Sequence, residues 1–263
     1  MLQLLTLQHK RMHTMSRFYC TIIFYIVSIY AGSPLCATLW SYYRPERLNT
    51  TVHHVLHMEE DFYGLTIRSS LKHYLVFAVT MALTSYVCAF VSTTKIVTVF
   101  NLTNYCTVYF QLVALKLQNE AQSRMDCSSV SAIVKMHQQA LQCANLLETI
   151  VSPLMLMQSI LCILMTSSTL YYFIFADFNA HMINVFMIFL VVTTETFGYC
   201  YLGTRLSMES AHIAHIANSA NWERQSNEMA KHLQLILLRA QKQVGITAGK
   251  FFYIDMEQFT AVH

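Results

Sequence analysis

The sequence predicts an all-α fold, a polytopic membrane helix bundle with four complete spans and the start of a further one. The 263 residues are 55% hydrophobic and only 12% charged, and their mean hydropathy is +0.40. This composition suits a surface that faces lipid better than one that faces water. Only 6 Gly and 3 Pro are present, and this scarcity of turn residues favours a few long helices. We therefore expect one membrane domain over residues 1–263.

Four segments are long enough to cross the hydrocarbon core, which takes about 20 mainly apolar residues. The predicted spans are residues 18–43, 73–95, 149–176 and 178–204. The fourth is interrupted only by Glu195, and it follows so closely on the third that the two should form an antiparallel hairpin. The apolar run from Phe18 is too long for a signal peptide and should remain as an anchor.

The segment from Ile96 to Leu115 carries no charge but is rich in Thr, Asn and Gln, so it fits either a fifth span or a continuation of the second helix. A helix from Lys72 to Lys116 would be about 65 Å long and would protrude from the bilayer. The polar content favours this continuation. Residues 96–148 and 205–245 are then expected to form a cytosolic helical anchor, followed by the start of a truncated final helix at 246–263.

Charge asymmetry predicts the orientation, because Lys and Arg accumulate on the cytoplasmic side of a membrane. With the N-terminus inside, twelve of these residues lie on the inner side and four lie outside, namely Arg44, Arg47, Arg68 and Lys72. We therefore expect a cytoplasmic N-terminus.

The outer loop contains a glycosylation acceptor at Asn49. A second acceptor at Asn101 should not be glycosylated in this topology.

Several other classes of function lack their characteristic residues. The eight cysteines show no CxxC spacing, so we predict neither a disulfide framework nor a zinc ribbon, and we expect no cofactor. His53 and His57 have the i, i+4 spacing of a zinc site, but a solvated polar loop fits that region better. A basic tract with interleaved aromatics is lacking, which excludes a nucleic-acid partner. A membrane enzyme or transporter would need convergent polar sets or internal repeats, and neither is found.

A set of spaced elements recurs in order towards the C-terminus: Tyr199-Cys200 with Gly203, Glu209-Ser210, Trp222, the run from Leu237 to Lys242, and Thr247-Ala248-Gly249 before Phe251 and Phe252. Together they resemble the C-terminal signature of insect odorant receptors. The segment from Ile133 to Leu141 looks like the family's intracellular helix. Two positions depart from the pattern, because Glu195 stands where the family usually has Gln and Asn218 where it commonly has Tyr.

The resemblance implies a seven-helix receptor of the plasma membrane that binds a small volatile odorant. It also implies a ligand-gated cation channel in a hetero-oligomer with the family's common co-receptor, embedded in the lipid bilayer. By that pattern roughly two spans would be missing before residue 1 and the seventh helix would be incomplete. We accordingly expect a truncated chain that does not conduct odorant-gated current, even when it is expressed with the co-receptor. The alternatives are a gustatory receptor of the same fold and a non-conducting receptor fragment.

The resemblance places the odorant pocket among the outer halves of the spans, where shape and aromatic contacts hold an apolar ligand. The candidates there are Tyr30, Tyr74, Phe77, Met81, Tyr171 and Phe186. Tyr74, Phe77 and Met81 share one helical face. Helix packing or lipid contact is the competing interpretation for each of them.

Three further groups of residues are candidates for function. Phe259 and Val262 are the expected pore-side residues of the final helix. Trp222, Leu233, Ile236 and Leu237 are the expected subunit interface, with packing inside the chain as the alternative for the leucine and isoleucine side chains. Glu195 fits either a role in the ion path or a carboxyl group near the inner helix end that is neutral or hydrogen-bonded to Thr193 or Thr194. We favour the second interpretation.

Overall fold

A computed structural model describes residues 2–43, 71–121, 127–175, 180–220, 226–242 and 244–262. Helices dominate every one of these segments except 244–262, which holds two short strands and one short helix; the all-α prediction is confirmed. In chain order the elements are α1 (Leu2–Tyr43), α2 (Leu71–Ala121), α3 (Cys127–Phe175), α4 (Ala180–Asn218), α5 (Asn227–Ala240), β1 (Thr247–Ala248), β2 (Phe252–Tyr253) and α6 (Met256–Val262).

The four long helices extend well beyond the predicted spans. The second helix continues unbroken through Ile96–Leu115 to Ala121, so the predicted continuation is confirmed. The first helix begins at Leu2, well before the predicted span at Phe18, because residues 2–17 contain neither Gly nor Pro to stop it. The third helix joins the segment before residue 149 to its span despite Pro153, and the fourth continues past residue 204 to Asn218.

Three helices are long and apolar enough to cross a membrane within the part of the chain that the structure describes, namely α1, α2 and α3. The fourth, α4, carries Glu195 inside its predicted span, and that span remains a prediction. Apolar side chains cover the outside of the long helices, with Ile29, Phe90 and Ile174 each more than 70% exposed. Water does not tolerate so extensive an apolar surface, whereas lipid does.

The chain divides into two compact units, residues 9–97 and residues 1–8 together with 98–263. One membrane domain over residues 1–263 stays a prediction. Within the described residues, the first unit contains most of α1 and the first half of α2. The apolar side chains of these two helix segments are mostly exposed, and few of those described are buried. This pattern is typical of helices that bury their surface in lipid rather than against each other.

The second unit contains the packed core. Its buried side chains come from the end of α2, from α3, from α4 and from α5, and include Phe110, Leu117, Ile133, Val151, Leu206, Ile213 and Leu233. All but Val151 lie in the segments predicted to form the cytosolic anchor. The boundary between exposed and buried side chains along α2 lies near Val99, close to the predicted end of the span at residue 95.

The predicted start of a final helix at residue 246 is wrong. Residues 247–253 form a two-stranded antiparallel hairpin, with Thr247 opposite Tyr253 and Ala248 opposite Phe252. Its turn holds Gly249 and Lys250 at φ values of 57° and 65°, a left-handed conformation that a helix cannot contain. The helix α6 begins only at Met256, where the Asp255 carboxylate accepts a 2.8 Å hydrogen bond from the Gln258 backbone N–H and caps it.

Candidate functional site

Tyr74 lies in the contact between α1 and α2 in the first unit. Its side chain is buried, and its hydroxyl is 2.8 Å from the Thr38 hydroxyl and donates to the Pro34 carbonyl at 3.3 Å. Pro34 lacks an N–H and leaves the Tyr30 carbonyl without its helical donor, and Ser33 donates to that carbonyl instead at 3.1 Å. The Tyr74 side chain therefore contributes to the packing of α2 against α1, and its role in ligand binding remains a prediction.

The other three candidates of the first unit differ in exposure. Phe77 and Met81 are half-buried on the same face of α2 as Tyr74, while the Tyr30 side chain on α1 is exposed. A partly covered aromatic and a flexible thioether can adapt to an apolar ligand. Phe77 and Met81 are thus partly accessible, and a part in ligand binding remains a prediction for all three residues.

Tyr171 and Phe186, the two candidates of the second unit, lie on α3 and α4 and are both exposed. The Tyr171 ring is 4.6 Å from the Phe175 ring, and the Phe186 ring is 6.3 Å from the Phe173 ring on the neighbouring helix. These separations are those of contacting aromatic rings. The two helices therefore present an aromatic surface in this part of the protein.

The carboxylate of Glu195 accepts a 2.8 Å hydrogen bond from the Tyr199 hydroxyl one turn later on α4. A hydrogen bond on the same helix was predicted from the sequence, but with Thr193 or Thr194 as its donor. Thr194 instead donates to the Leu190 carbonyl at 2.7 Å, a common arrangement for a helical threonine. Glu195 is thus partnered on its own helix.

Two polar contacts join α2 to α4 inside the second unit. The Gln111 amide donates to the Glu209 carboxylate at 2.7 Å, and the Arg205 guanidinium donates to the Asn104 side-chain oxygen at 3.1 Å. Both contacts involve a charged group, which makes them stronger than neutral hydrogen bonds. They fix the register between the two helices.

The β1–β2 hairpin is attached to α3 by a cluster of hydrogen bonds. The Thr247 hydroxyl donates to the Glu148 carboxylate at 2.9 Å and lies 3.2 Å from the Ser152 hydroxyl. The Gly249 backbone N–H donates to the Ser152 carbonyl at 3.1 Å. The Thr-Ala-Gly element that carries the family resemblance is therefore the part of the hairpin that binds α3.

Close backbone contact attaches the other side of the hairpin to α4. A Cβ atom added at Gly203 would overlap the carbonyl oxygen of Ile254 and lie 3.1 Å from its carbonyl carbon. One residue further on, the Thr204 hydroxyl accepts a 2.9 Å hydrogen bond from the Met256 backbone N–H. The absence of a side chain at Gly203 is therefore required for the chain before α6 to lie against α4.

The predicted pore residues lie on the short helix α6. The Phe259 ring is 5.5 Å from the Phe197 ring on α4 in an edge-to-face contact, a favourable geometry for aromatic pairs. Val262 belongs to the last turn of the helix, and its side chain is outside the described residues. A pore role for both remains a prediction.

The predicted interface on α5 requires a correction. Leu233 and Ile236 are only 0% and 4% exposed, so they belong to the core of the chain, as the alternative of intrachain packing anticipated. Leu237 is half-buried, whereas Leu235 and Leu238 on the outer face are 62% and 61% exposed. Leu235 and Leu238, each one position away from a predicted interface residue, thus form the exposed apolar face of α5.

Four further residues singled out in the sequence lie outside the described residues. They are the glycosylation acceptor Asn49, the interface candidate Trp222, and the histidines His53 and His57. Their predicted roles are neither supported nor opposed by the structure.

A model of the family described as "7tm Odorant receptor" matches residues 5–263. The chain belongs to the odorant receptor family. Curated proteins similar to it include the odorant receptor coreceptor of Drosophila melanogaster, 31% identical over 68 residues that cover 26% of this chain and 14% of the relative. The coreceptor of Aedes aegypti is 27% identical over 84 residues, which cover 32% of this chain and 18% of the relative.

Solved structures of odorant-sensing proteins share the fold. The insect olfactory receptor OR5 from Machilis hrabei superposes with a TM-score of 0.64 at 16% identity, covering 97% of this chain and 65% of the receptor. The same receptor in complex with eugenol gives a TM-score of 0.63 at 14% identity, covering 97% and 66%. This odorant receptor family member therefore has the receptor's helical fold, and it spans less than two thirds of the length of the solved receptor.

Sequence reasoning missed the polar groups that join helices distant in the chain. Thr38, Gln111 and Glu148 each bond a residue between 36 and 99 positions away, and no local pattern announces such a pairing. A usable signal existed only for Glu209 and Thr247, which belong to the elements that carry the family resemblance.

Proposed function

We propose that the protein is an odorant-binding subunit of a ligand-gated cation channel and that it assembles with the family's co-receptor in the plasma membrane. The observation that carries this proposal is the odorant receptor family match over residues 5–263. The fold likeness to an olfactory receptor that binds eugenol supports an odorant as ligand. The similarity to odorant receptor coreceptors supports a common architecture with such a partner.

The decisive experiment is whole-cell recording from cells that express this chain together with an insect odorant receptor co-receptor. Eugenol and a panel of other small volatiles serve as ligands, and cells with the co-receptor alone serve as the control. A ligand-dependent cation current above the control supports the proposal. Co-purification with ligand-dependent thermal stabilisation but no current would instead favour a non-conducting receptor. If neither binding nor assembly occurs, the proposal is wrong.

For the odorant contacts we propose the side chains named from the sequence: Tyr30, Tyr74, Phe77, Met81, Tyr171 and Phe186. The exposed aromatic surface of α3 and α4 supports the last two. We expect Phe186→Ala to lower ligand-induced stabilisation, because a ring of this size contributes a large part of an apolar contact. Ile188→Ala, an exposed side chain two residues later on α4, is the matched control. An equal effect of both changes would contradict a specific contact.

The co-receptor is proposed to contact the outer face of α5, which carries Leu235 and Leu238. These side chains are exposed at i, i+3 spacing, so they form one apolar face that a partner can cover. The double change Leu235→Asp with Leu238→Asp should reduce co-precipitation of the co-receptor. The control is Leu146→Asp, since that leucine is exposed on α3. Unchanged co-precipitation by the double variant would remove α5 from the interface.

We also propose a cytoplasmic N-terminus and an external loop with a glycan at Asn49. The unequal distribution of Lys and Arg supports this orientation. Translation into microsomes should give a glycosylated product that Asn49→Gln abolishes and Asn101→Gln leaves unchanged. A glycan at Asn101 would reverse the topology of α2.

For the pore we propose Phe259 and Val262. The test is to measure the ion selectivity of channels that carry Phe259→Ala or Val262→Ala.

A further inference from the structure

Two cysteines meet between α2 and α3 in the second unit. The Sγ atoms of Cys106 and Cys143 are 2.7 Å apart, although 37 positions separate them in the sequence. Both are free thiols. A disulfide bond spans about 2.0 Å, so the two sulfur atoms need only a small approach to become bonded.

We propose that Cys106 and Cys143 are a modification site, a thiol pair that hydrogen peroxide converts reversibly into a disulfide linking α2 to α3. Both residues lie in residues 96–148, the segment placed in the cytosol by the proposed topology. Structural disulfides are rare in that compartment, where pairs that do form are typically transient and redox-sensing. The proposal does not depend on odorant binding or on channel activity.

The environments of the two thiols indicate the order of reaction. The Cys106 side chain is only 2% exposed, while Cys143 is half-buried. Burial, followed by the neighbouring Cys143, raises the pKa of the Cys106 thiol, which makes its thiolate rare. Cys143 is the more accessible of the two sulfur atoms to peroxide, so we infer that Cys143 reacts first, as its thiolate, and that Cys106 acts as the resolving thiol.

The reaction proceeds in two balanced steps. The Cys143 thiolate attacks one oxygen of hydrogen peroxide, the O–O bond breaks, and the departing hydroxide takes a proton to become water. The Cys106 sulfur then attacks the sulfur of the Cys143 sulfenic acid. The S–S bond forms, the S–O bond breaks, and the Cys106 proton leaves with the hydroxide as a second water. Two thiols lose two electrons in total, and one peroxide gains them.

The test uses the full chain, purified in detergent micelles and fully reduced before treatment with hydrogen peroxide. Remaining thiols are blocked with N-ethylmaleimide, and the digested protein is searched by mass spectrometry for peptides joined through Cys106 and Cys143. We expect this pair to account for at least tenfold more cross-linked peptide than any other cysteine pair, and dithiothreitol to remove it. The same treatment after denaturation should distribute cross-links among the cysteines.

Substitutions distinguish the mechanism from incidental oxidation. In Cys106→Ala the Cys143 sulfenic acid cannot be resolved, so it should accumulate and be trapped by dimedone at least tenfold more than in the unchanged chain. Cys143→Ala should give neither the cross-link nor the adduct. Cys88→Ala, which removes an exposed thiol of α2, should leave the cross-link unchanged. Size-exclusion chromatography verifies that each variant is folded. Absence of the Cys106–Cys143 peptide from the oxidised native chain, or equal dimedone labelling with and without Cys106, would overturn the proposal.

Discussion

Replacing Gly203 by alanine tests whether close backbone contact holds the C-terminal hairpin against α4. The new Cβ would overlap the Ile254 carbonyl oxygen and lie 3.1 Å from its carbon, whereas ordinary contacts begin at 3.4 Å. The neighbouring atom is backbone and cannot rotate away, so the chain around Ile254 must withdraw from α4 by roughly 1.5 Å. We therefore expect Gly203→Ala to detach this segment partly.

The expected magnitude follows from three contributions. Overpacking with a backbone shift costs about 1–3 kcal/mol, and loss of the hydrogen bond from Met256 to Thr204 costs about 1 kcal/mol. Alanine in a helix offsets about 1 kcal/mol of this, because it is a better helix former than glycine. The free energy of unfolding should fall by about 2 kcal/mol, which corresponds to a melting temperature lower by roughly 4–8 °C.

The matched control is Gly198→Ala on the same helix. A Cβ at Gly198 would meet no atom within 4 Å, so this change should be neutral or stabilise by up to about 1 kcal/mol. Thermal unfolding in detergent micelles measures both variants, and the rate of tryptic cleavage after the exposed Lys250 reports on the hairpin itself. If Gly203→Ala melts no lower than Gly198→Ala and is cleaved no faster, the proposed backbone contact does not exist.

Three further changes have defined outcomes. Tyr74→Phe removes a buried hydroxyl that is hydrogen-bonded to α1 and should lower the free energy of unfolding by about 1 kcal/mol. Its control is Tyr86→Phe, which removes a hydroxyl that bonds an exposed partner and should leave the melting temperature almost unchanged. Thr247→Val removes the donor to the Glu148 carboxylate and should destabilise by about 1–2 kcal/mol and speed tryptic cleavage of the hairpin; unchanged cleavage would contradict this role. Burial, and secondarily a nearby arginine, lowers the pKa of His137 from its ordinary 6.5. The native imidazole stays neutral where the unfolded chain takes up a proton, so stability should be full above pH 6.5 and decline as the pH falls through the lowered native pKa. His137→Asn should show a flatter decline in melts between pH 7.5 and 5, and parallel curves would refute this contribution.

The helices were predictable from the sequence because their causes are local. Long apolar runs and the scarcity of Gly and Pro indicate membrane helices wherever they occur, and α1 to α4 contain all four predicted spans in the described residues. Their ends were less predictable. Hydrophobicity marks the part of a helix that lies in lipid, whereas the helix itself can continue further, as α2 does past residue 95 to Ala121.

The candidate site was predictable only where the sequence itself carries a distinctive element. Gly203 and Thr247 were named among the residues of the family resemblance, but their physical roles depend on Ile254 and Glu148, which lie 51 and 99 positions away. The error on α5 has a similar cause. An amphipathic helix shows which residues share a face, but whether Leu233 or Leu235 points into the core depends on where α3 and α4 lie.

The hairpin connects three parts of the chain, two of which carry elements of the family resemblance. Gly203 and Thr204 belong to α4, Thr247 and Gly249 belong to the hairpin, and Glu148 and Ser152 belong to α3. The hairpin therefore fixes the start of α6 to two long helices at once, through backbone contact on one side and hydrogen bonds on the other. A movement of α3 relative to α4 cannot leave both attachments intact unless the hairpin moves as well. If α6 leads into the pore, as proposed, this hairpin is the element through which the long helices would act on it.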